Sequence, residues 1–196
     1  MSMIKRIITK FLGGNKYILK IKNIGKKSRI GLLHNILNGK YIEIGEGTSI
    51  GRYSKLHCYD NNNNIKYSPS IKIGNNCMIG QNFSIMSADS VIIQDNVLMA
   101  SYITIVNENH GMNAEEENFY KRQPLTAAPI LIKEGAWIGE RCCVLPGVTI
   151  GKRSIIGSGS IVTKSVPDYC IAVGNPARII KKWDFETHSW KNVKDN

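Results

Sequence analysis

The side chain best suited to acid–base chemistry in this sequence is His110, which lies in the segment Asn-Glu-Asn-His-Gly at residues 107–111. An imidazole gains and loses a proton near neutral pH, so a histidine can take a proton from a hydroxyl at working pH. Gly111 gives the backbone freedom to turn beside it. The alternative is a surface histidine without a catalytic role. Packing or surface roles are favoured for the remaining histidines, which are His34, His57 and His188.

Other kinds of catalytic centre lack their characteristic spacing in this sequence. His110 has no second His or Cys at metal-ligand spacing, so we predict no metal site. There is no Walker-type glycine-rich loop. The five cysteines include no Cys-x-x-Cys pair, which predicts a reduced and mostly structural set of thiols. Acid–base catalysis by His110 is therefore the chemistry that the sequence favours.

The elements that must position this histidine follow a six-residue pattern. Between residues 132 and 162 every sixth residue is aliphatic and β-branched: Ile132, Ile138, Val144, Ile150, Ile156 and Val162. An α-helix requires apolar spacings of three and four, and a flat strand requires a spacing of two. A period of six instead predicts short strands that turn corners, so that three sides close one coil of about 18 residues around an apolar interior.

This repeat divides the chain into three parts within one expected domain. Residues 24–170 are predicted to form the coils. The repeat stops between residues 106 and 129, which predicts a loop that leaves the wall of the coils and carries His110. Residues 1–23 are predicted to form a basic amphipathic arm or cap. Residues 171–196 are predicted to contain a final strand followed by a short helix.

The net charge is +11, and ten of the 26 Lys and Arg residues precede the first acidic residue, Glu43. Residues 3–12 place their apolar side chains on one helical face, so the arm either caps the open end of the coils or lies on an anionic membrane. No nucleic-acid motif accompanies the basic charge, and we expect no nucleic-acid partner. No apolar run reaches the ~18 residues of a spanning helix. We predict a cytoplasmic protein, either free or peripheral at the inner membrane face.

Several segments resemble the hexapeptide-repeat acyltransferases: residues 137–139, 145–151, 160–164 and the tail Val-Gly-Asn-Pro-Ala-Arg at 173–178. The resemblance covers roughly residues 24–182 and is greatest to the maltose/galactoside-type and polysaccharide-pathway O-acetyltransferases. It implies an all-β, left-handed parallel β-helix, which is a single-stranded solenoid with an extruded loop and short terminal helices. It also implies acetyl-CoA as the cosubstrate and no metal.

The same resemblance implies roles for individual residues. His110 matches the general base, and the thioester donor needs no enzyme nucleophile. Asn107 stands where the polysaccharide-pathway enzymes of this family often carry an Asp that orients the histidine. Either Glu108 or a backbone carbonyl is then the group that orients His110. The acceptor-binding positions are Asn82, Asn107, Asn109 and Asp89, with a plain corner residue as the alternative for Asn82. The coenzyme-binding positions are Trp137, Gly139, Ser158, Thr163, Lys164 and Arg178, with subunit packing or a solvated surface as the alternatives.

The implied function is transfer of an acetyl group from acetyl-CoA to a sugar hydroxyl, in the biosynthesis of a surface polysaccharide such as O-antigen or capsule. The implied assembly is a homotrimer with sites between subunits and a sugar or lipid-linked glycan as acceptor. The alternatives are N-acetylation of an amino sugar, a serine-type acetyltransferase, and a non-catalytic scaffold. Acceptor specificity is expected to reside in the loops around residues 60–65 and 106–129, and the sequence does not identify the acceptor.

Overall fold

A computed structural model describes residues 21–193, which form short β-strands and 3₁₀ turns without an α-helix. The predicted amphipathic arm at residues 3–12 lies outside this range. The first strands, in chain order, are β1 (Asn23–Ile24), β2 (Arg29–Ile30), β3 (Asn35–Leu37), β4 (Ile42–Ile44), β5 (Ser49–Ile50), β6 (Lys55–Cys58), β7 (Asn61–Asn62), β8 (Ile65–Lys66), β9 (Ser70–Ile73), β10 (Met78–Ile79), β11 (Ser84–Ser87) and β12 (Ser90–Ile93).

The second half of the described chain continues in the same way. Its strands are β13 (Leu98–Met99), β14 (Thr104–Val106), β15 (Glu108–Asn109), β16 (Thr126–Ala127), β17 (Ile130–Ile132), β18 (Trp137–Ile138), β19 (Cys143–Val144), β20 (Thr149–Ile150), β21 (Ile155–Ile156), β22 (Ile161–Val162), β23 (Cys170–Gly174), β24 (Ala177–Asp184) and β25 (Ser189–Asn192). The 3₁₀ turns are Gly39–Tyr41 and Tyr120–Arg122. Within residues 21–193 no helix has the length and apolar character needed to cross a bilayer.

Three parallel sheets form the walls of a three-sided coil. Wall A contains β1, β4, β9, β12, β17 and β20; wall B contains β2, β5, β10, β13, β18, β21 and β23; wall C contains β3, β6, β11, β14, β19 and β22. Strands of the same wall pair from one coil to the next, so that Ile79 lies between Ile50 of the preceding coil and Met99 of the following coil. The chain passes from wall A to B to C and back to A, so the coils stack as the predicted parallel β-helix. The corner between walls C and A is called the C–A edge below, and the other two corners are named likewise.

The six-residue pattern is the inner surface of these walls. Ile132, Ile138 and Val144 point inward from walls A, B and C of one coil, and each is fully buried. Burial of an aliphatic side chain of this size contributes about 1.5–3 kcal/mol. Cysteines occupy some inward positions and remain unpaired thiols. Burial raises the pKa of the Cys58 thiol to about 12, so this thiol stays protonated at neutral pH.

Two of the three edges turn with the same left-handed backbone conformation in successive coils. At the B–C edge of successive coils this residue is Tyr53, Asn82, Tyr102, Arg141 and Gly159, and their φ values of 54° to 73° lie in the left-handed region. Asn and Gly adopt this conformation more easily than other residues. Asn82 therefore has the position of an ordinary corner residue, which was the alternative to its predicted role in acceptor binding.

The predicted helix in the tail is wrong. The tail forms β24 and β25, an antiparallel hairpin that extends wall B beyond β23. Trp183 and Trp190 lie opposite each other on this hairpin, with ring centroids 5.3 Å apart. The carboxylate of Asp184 accepts hydrogen bonds from the backbone N–H of Glu186 and the hydroxyl of Thr187, which closes the turn between the strands.

A second short hairpin leaves the C–A edge between β6 and β9. The sequence indicates a loop over residues 60–65, but Asn61 and Asn62 form β7 and pair with β8. Asn63 and Asn64 make the two-residue turn, with φ of 51° and 64°. Both central residues of a type I′ turn require positive φ, which asparagine tolerates, and this explains the run of asparagines.

Candidate functional site

The loop that carries His110 leaves wall C after β14 and returns to wall A at β17, so it projects from the C–A edge. Its base is the antiparallel pair of β15 and β16, in which Glu108 lies opposite Ala127 and Asn109 opposite Thr126. His110 follows β15 directly and is exposed to solvent. The imidazole is therefore accessible to a substrate at the point where the loop separates from the wall.

Asn107 anchors the root of this loop to the preceding coil. Its side-chain oxygen accepts the N–H of Ala88 at 2.9 Å, and its side-chain nitrogen donates to the carbonyl of Ser90 at 3.2 Å. The side chain is fully buried. The predicted role of Asn107 in acceptor binding is therefore wrong, because its amide is already bonded on both sides and is closed to solvent.

Gln123 organises the interior of the loop, a role that no pattern in the sequence indicates. Its side-chain oxygen accepts the N–H of Asn113 at 3.0 Å, and its nitrogen donates to the carbonyls of Asn113 and Asn118 at 2.8 and 2.9 Å. The Gln123 side chain also packs on Gly111, where an added Cβ would lie 2.6 Å from the Cβ of Gln123. Gly111 is thus needed for close contact next to His110, and its φ is not positive.

Two polar side chains, His57 and Tyr59, lie at the end of β6 in wall C, near this edge. Nδ1 of His57 lies 3.4 Å from the hydroxyl of Tyr59. Burial, together with the charge of Lys55, lowers the pKa of His57, whereas burial and the nearby carboxylate of Glu108 raise the pKa of Tyr59. In the part of the chain that the structure describes, no hydrogen bond joins the Glu108 carboxylate to His110.

The remaining acceptor candidates fall on two different edges. Asn109 and Asp89 lie at the C–A edge with His110, whereas Asn82 lies at the B–C edge. Asn109 is exposed in β15. The carboxylate of Asp89 accepts the N–H of Ser90 at 2.6 Å, so one of its oxygens is engaged in the corner. Within one chain the structure therefore joins His110 with Asn109 and Asp89, and it separates them from Asn82.

The coenzyme candidates also divide into two groups. Trp137 projects outward from wall B and is 48 % exposed, as the sequence predicts for a residue next to inward Ile138. Gly139 and Ser158 follow at the B–C edge, and Arg178 lies in β24, which extends wall B. Thr163 and Lys164, by contrast, are exposed at the C–A edge, two coils beyond the base of the His110 loop.

Gly139 is buried, and packing accounts for its lack of a side chain. An added Cβ would lie 2.6 Å from the backbone nitrogen of Ser158 in the next coil. The hydroxyl of Ser158 accepts the N–H of Glu140 at 3.2 Å. These contacts describe a corner between coils, and they make neither residue specific to a ligand.

One wide cleft lies away from all these residues. It has a volume of about 840 Å³ and is formed by the tail hairpin and the last A–B corner, with Trp183, Phe185 and Tyr169 among its lining residues. Across residues 21–193, no group of three or more His, Cys, Asp or Glu side chains is arranged to hold a metal ion. The His110 loop is therefore the candidate active site on account of its chemistry and accessibility.

Two families of repeats match the sequence. The bacterial transferase hexapeptide (six repeats) matches residues 129–164, and the hexapeptide repeat of succinyl-transferase matches residues 70–101. These segments are parts of the coils on either side of the His110 loop. Neither match includes the loop itself.

Curated relatives align with part of the chain. A Staphylococcus aureus protein described as an acetyltransferase is 49 % identical over 69 residues, which are 34 % of this chain and 35 % of that protein. The Escherichia coli protein WbbJ, described as a lipopolysaccharide biosynthesis O-acetyl transferase, is 32 % identical over 102 residues, which are 49 % of this chain and 52 % of that protein. The chain thus spans between about a third and about half of the length of these relatives.

Solved structures match nearly the whole chain. An N-acyltransferase from Bacillus cereus, AntD, crystallised with dTDP and coenzyme A, has a TM-score of 0.72 and 18 % identity, covering 95 % of this chain and 91 % of that one. A maltose O-acetyltransferase from Clostridium difficile has a TM-score of 0.58 and 24 % identity, covering 91 % and 83 %. With the repeat matches, these similarities establish the fold as a left-handed parallel β-helix, as predicted.

Proposed function

Since this chain is a hexapeptide-repeat protein with the left-handed β-helix fold of the bacterial acyltransferases, we propose that it transfers an acetyl group from acetyl-CoA to a hydroxyl of a sugar. His110 is the general base. The observation that carries this proposal is the placement of His110, an exposed imidazole on a loop whose root and interior are fixed by Asn107 and Gln123.

The proposed reaction requires one proton carrier and no enzyme nucleophile. His110 removes the proton of the sugar hydroxyl, whose oxygen attacks the thioester carbonyl and forms a C–O bond. The resulting tetrahedral oxyanion collapses and breaks the C–S bond. The imidazolium then protonates the departing thiolate of coenzyme A, which returns the histidine to its neutral form. Backbone N–H groups are the expected donors to the oxyanion.

Similarities to known proteins and the arrangement of the edges support the proposed acceptor and assembly. WbbJ supports a role in the synthesis of a surface polysaccharide, and coenzyme A in the AntD crystals supports acetyl-CoA as the donor. Asn109 and Asp89 are proposed to contact the acceptor. Trp137 and Arg178 are proposed to bind the coenzyme from a neighbouring subunit of a homotrimer, because they lie on another wall from His110.

The first test is release of coenzyme A thiol from acetyl-CoA with a panel of sugars, repeated with His110→Ala. General-base catalysis contributes about 10²–10⁴-fold, so His110→Ala is expected to lower turnover by that factor and to leave the KM for acetyl-CoA nearly unchanged. His188→Ala is the matched control, because His188 is exposed in the turn of the tail hairpin, away from the C–A edge. Full activity of His110→Ala with an active acceptor would rule out this assignment.

A second candidate function is N-acylation of an amino sugar. The observation in its favour is the high TM-score of AntD, which was also crystallised with dTDP-4-amino-4,6-dideoxyglucose. The sugar panel should therefore contain this nucleotide sugar beside maltose, the acceptor named for the Clostridium difficile enzyme. Faster thiol release with the amino sugar would favour the N-acyltransferase, and faster release with hydroxyl acceptors would favour the proposed O-acetyltransferase.

A further inference from the structure

We propose that residues 60–67, which we name the brace, hold the His110 loop in its working position, and that Tyr67 is a positioning residue for the transfer reaction. The brace consists of Asp60, the hairpin of β7 and β8, and Tyr67. It leaves the same C–A edge as the His110 loop, two coils earlier, which is a separation of about 10 Å. The kinetic part of this proposal rests on the proposed function, and its structural part does not.

The base of the brace is fixed by the carboxylate of Asp60. One oxygen accepts a hydrogen bond from the amide nitrogen of Asn38 at 3.0 Å, and the other accepts from the hydroxyl of Tyr41 at 3.1 Å. Nζ of Lys40 forms a 3.1 Å ion pair with the same carboxylate. The carbonyl of Asp60 also accepts the N–H of Tyr67 at 3.0 Å, which closes the hairpin. The preceding coil therefore holds Asp60, and Asp60 in turn holds Tyr67 at the other end of the brace.

The other side of the brace contacts the returning half of the His110 loop at two points. At the hairpin turn, the amide nitrogen of Asn63 donates to the carbonyl of Lys121 at 2.9 Å. At the end of the brace, the hydroxyl of Tyr67 accepts the N–H of Leu125 at 2.8 Å. Each contact joins residues 58 positions apart in the sequence. They tie an exposed loop to a hairpin that is anchored on an earlier coil.

These two contacts lie on either side of Gln123 in the chain, the residue that packs beside His110. Gln123 lies between Lys121 and Leu125 in the chain, and its side chain packs on Gly111 next to the histidine. A shift of residues 121–125 would therefore move Gln123 and with it the backbone beside His110. Because a displacement of about 1 Å can cost about 10²-fold in rate, the Tyr67 hydroxyl is placed to affect catalysis without touching substrate.

The structural part can be tested by proteolysis, which does not depend on activity. Lys121 and Arg122 are exposed in the loop, so trypsin can cut there when the segment moves away from the brace. Tyr67→Phe and Asn63→Ala are expected to speed cutting after Lys121 and Arg122 several-fold, as followed by mass spectrometry. Tyr53→Phe is the matched control, because Tyr53 lies at the opposite edge of wall C. An unchanged cutting rate in both brace variants would overturn the proposal.

The kinetic part is tested with acetyl-CoA and the best acceptor of the sugar panel. Tyr67→Phe is expected to lower kcat about tenfold and to leave the KM for acetyl-CoA unchanged. In the His110→Ala background the same substitution should have no further effect, because the brace acts through His110. An equal loss in both backgrounds would overturn positioning by Tyr67. Absence of thiol release by the wild-type protein with every acceptor would count against the proposed function, and the proteolysis result would still decide the brace.

Discussion

At the scale of single residues, the carboxylate of Asp60 connects the coils to the brace. Asn38, Lys40 and Tyr41 donate to it from the preceding coil. The hydrogen bond from Lys40 is the main cause that lowers the pKa of Asp60 below its ordinary value of 3.8, and the Tyr41 hydroxyl adds to it. All three partners favour the ionised form, so protonation of Asp60 weakens the attachment of the brace.

This arrangement predicts how stability depends on pH. Because the folded-state pKa of Asp60 is lowered, its contribution is complete above the unfolded-state pKa and is lost as pH falls through the folded-state pKa. Asp60→Asn should therefore have a lower urea midpoint than the wild type at pH 6, and the gap should narrow below about pH 4. Glu186→Gln, in an exposed turn, is the control. A gap that stays constant from pH 6 to pH 3 would contradict this prediction.

The residues near His110 show what the sequence could and could not reveal. His110 itself could be found, because the break in the six-residue pattern is visible without a structure. The role of Asn107 could not, because its partners Ala88 and Ser90 lie 19 and 17 positions earlier and reach it only through stacking of the coils. Gln123 was missed for a similar reason, since its loop has no regular pattern from which contacts can be predicted.

At the scale of elements, the glycines of the repeat have two different functions. Gly151 allows close stacking of coils, because an added Cβ would lie 2.3 Å from the backbone of Pro167 and Asp168. Gly159 instead supplies a left-handed corner with φ of +73°, and nothing lies within 4 Å of an added Cβ. The first glycine is required by space and the second by backbone conformation, which is a difference that substitutions can reveal.

Alanine and asparagine should distinguish these two functions. At position 159 alanine should cost about 1–2 kcal/mol of unfolding free energy, whereas asparagine should cost less, because it tolerates the left-handed region. At position 151 alanine and asparagine should each lower the free energy of unfolding by about 1–3 kcal/mol, because any side chain meets the next coil. Asparagine should therefore be no more stable than alanine at this position. Urea unfolding of Gly151→Ala, Gly151→Asn, Gly159→Ala and Gly159→Asn measures this. Recovery by asparagine at position 151 would contradict the steric explanation.

The elements also show where periodicity stops being informative. The coils were predictable because one inward residue in six is a strong pattern. The tail was not, because its apolar residues Ile179, Ile180 and Trp183 have spacings that suit a helix as well as a strand. Its strand conformation is set by β23, whose open edge has backbone groups that need partners, and β24 supplies them.

At the scale of the whole molecule, the three-sided section determines which residues can share a site. The C–A edge, with His110 and Lys164, is the corner opposite wall B, which carries Trp137. The family resemblance places Thr163 and Lys164 with Trp137 among the coenzyme-binding positions. The structure puts Thr163 and Lys164 on the same edge as His110. In the proposed trimer, a neighbouring chain would therefore supply only wall B and its B–C corner.

The final prediction is that inactive variants of His110 and Trp137 complement each other. In a cyclic trimer whose sites combine the C–A edge of one chain with wall B of the next, mixing His110→Ala and Trp137→Ala subunits regenerates some sites that contain both native residues. Random mixing should restore about a quarter of wild-type activity after unfolding and refolding together. His110→Ala mixed with Lys164→Glu should restore none, because both side chains lie on one edge of the same chain. Light scattering should show a trimer. A monomer that is fully active at nanomolar concentration, or failure of the first pair to recover activity, would exclude a site shared between subunits.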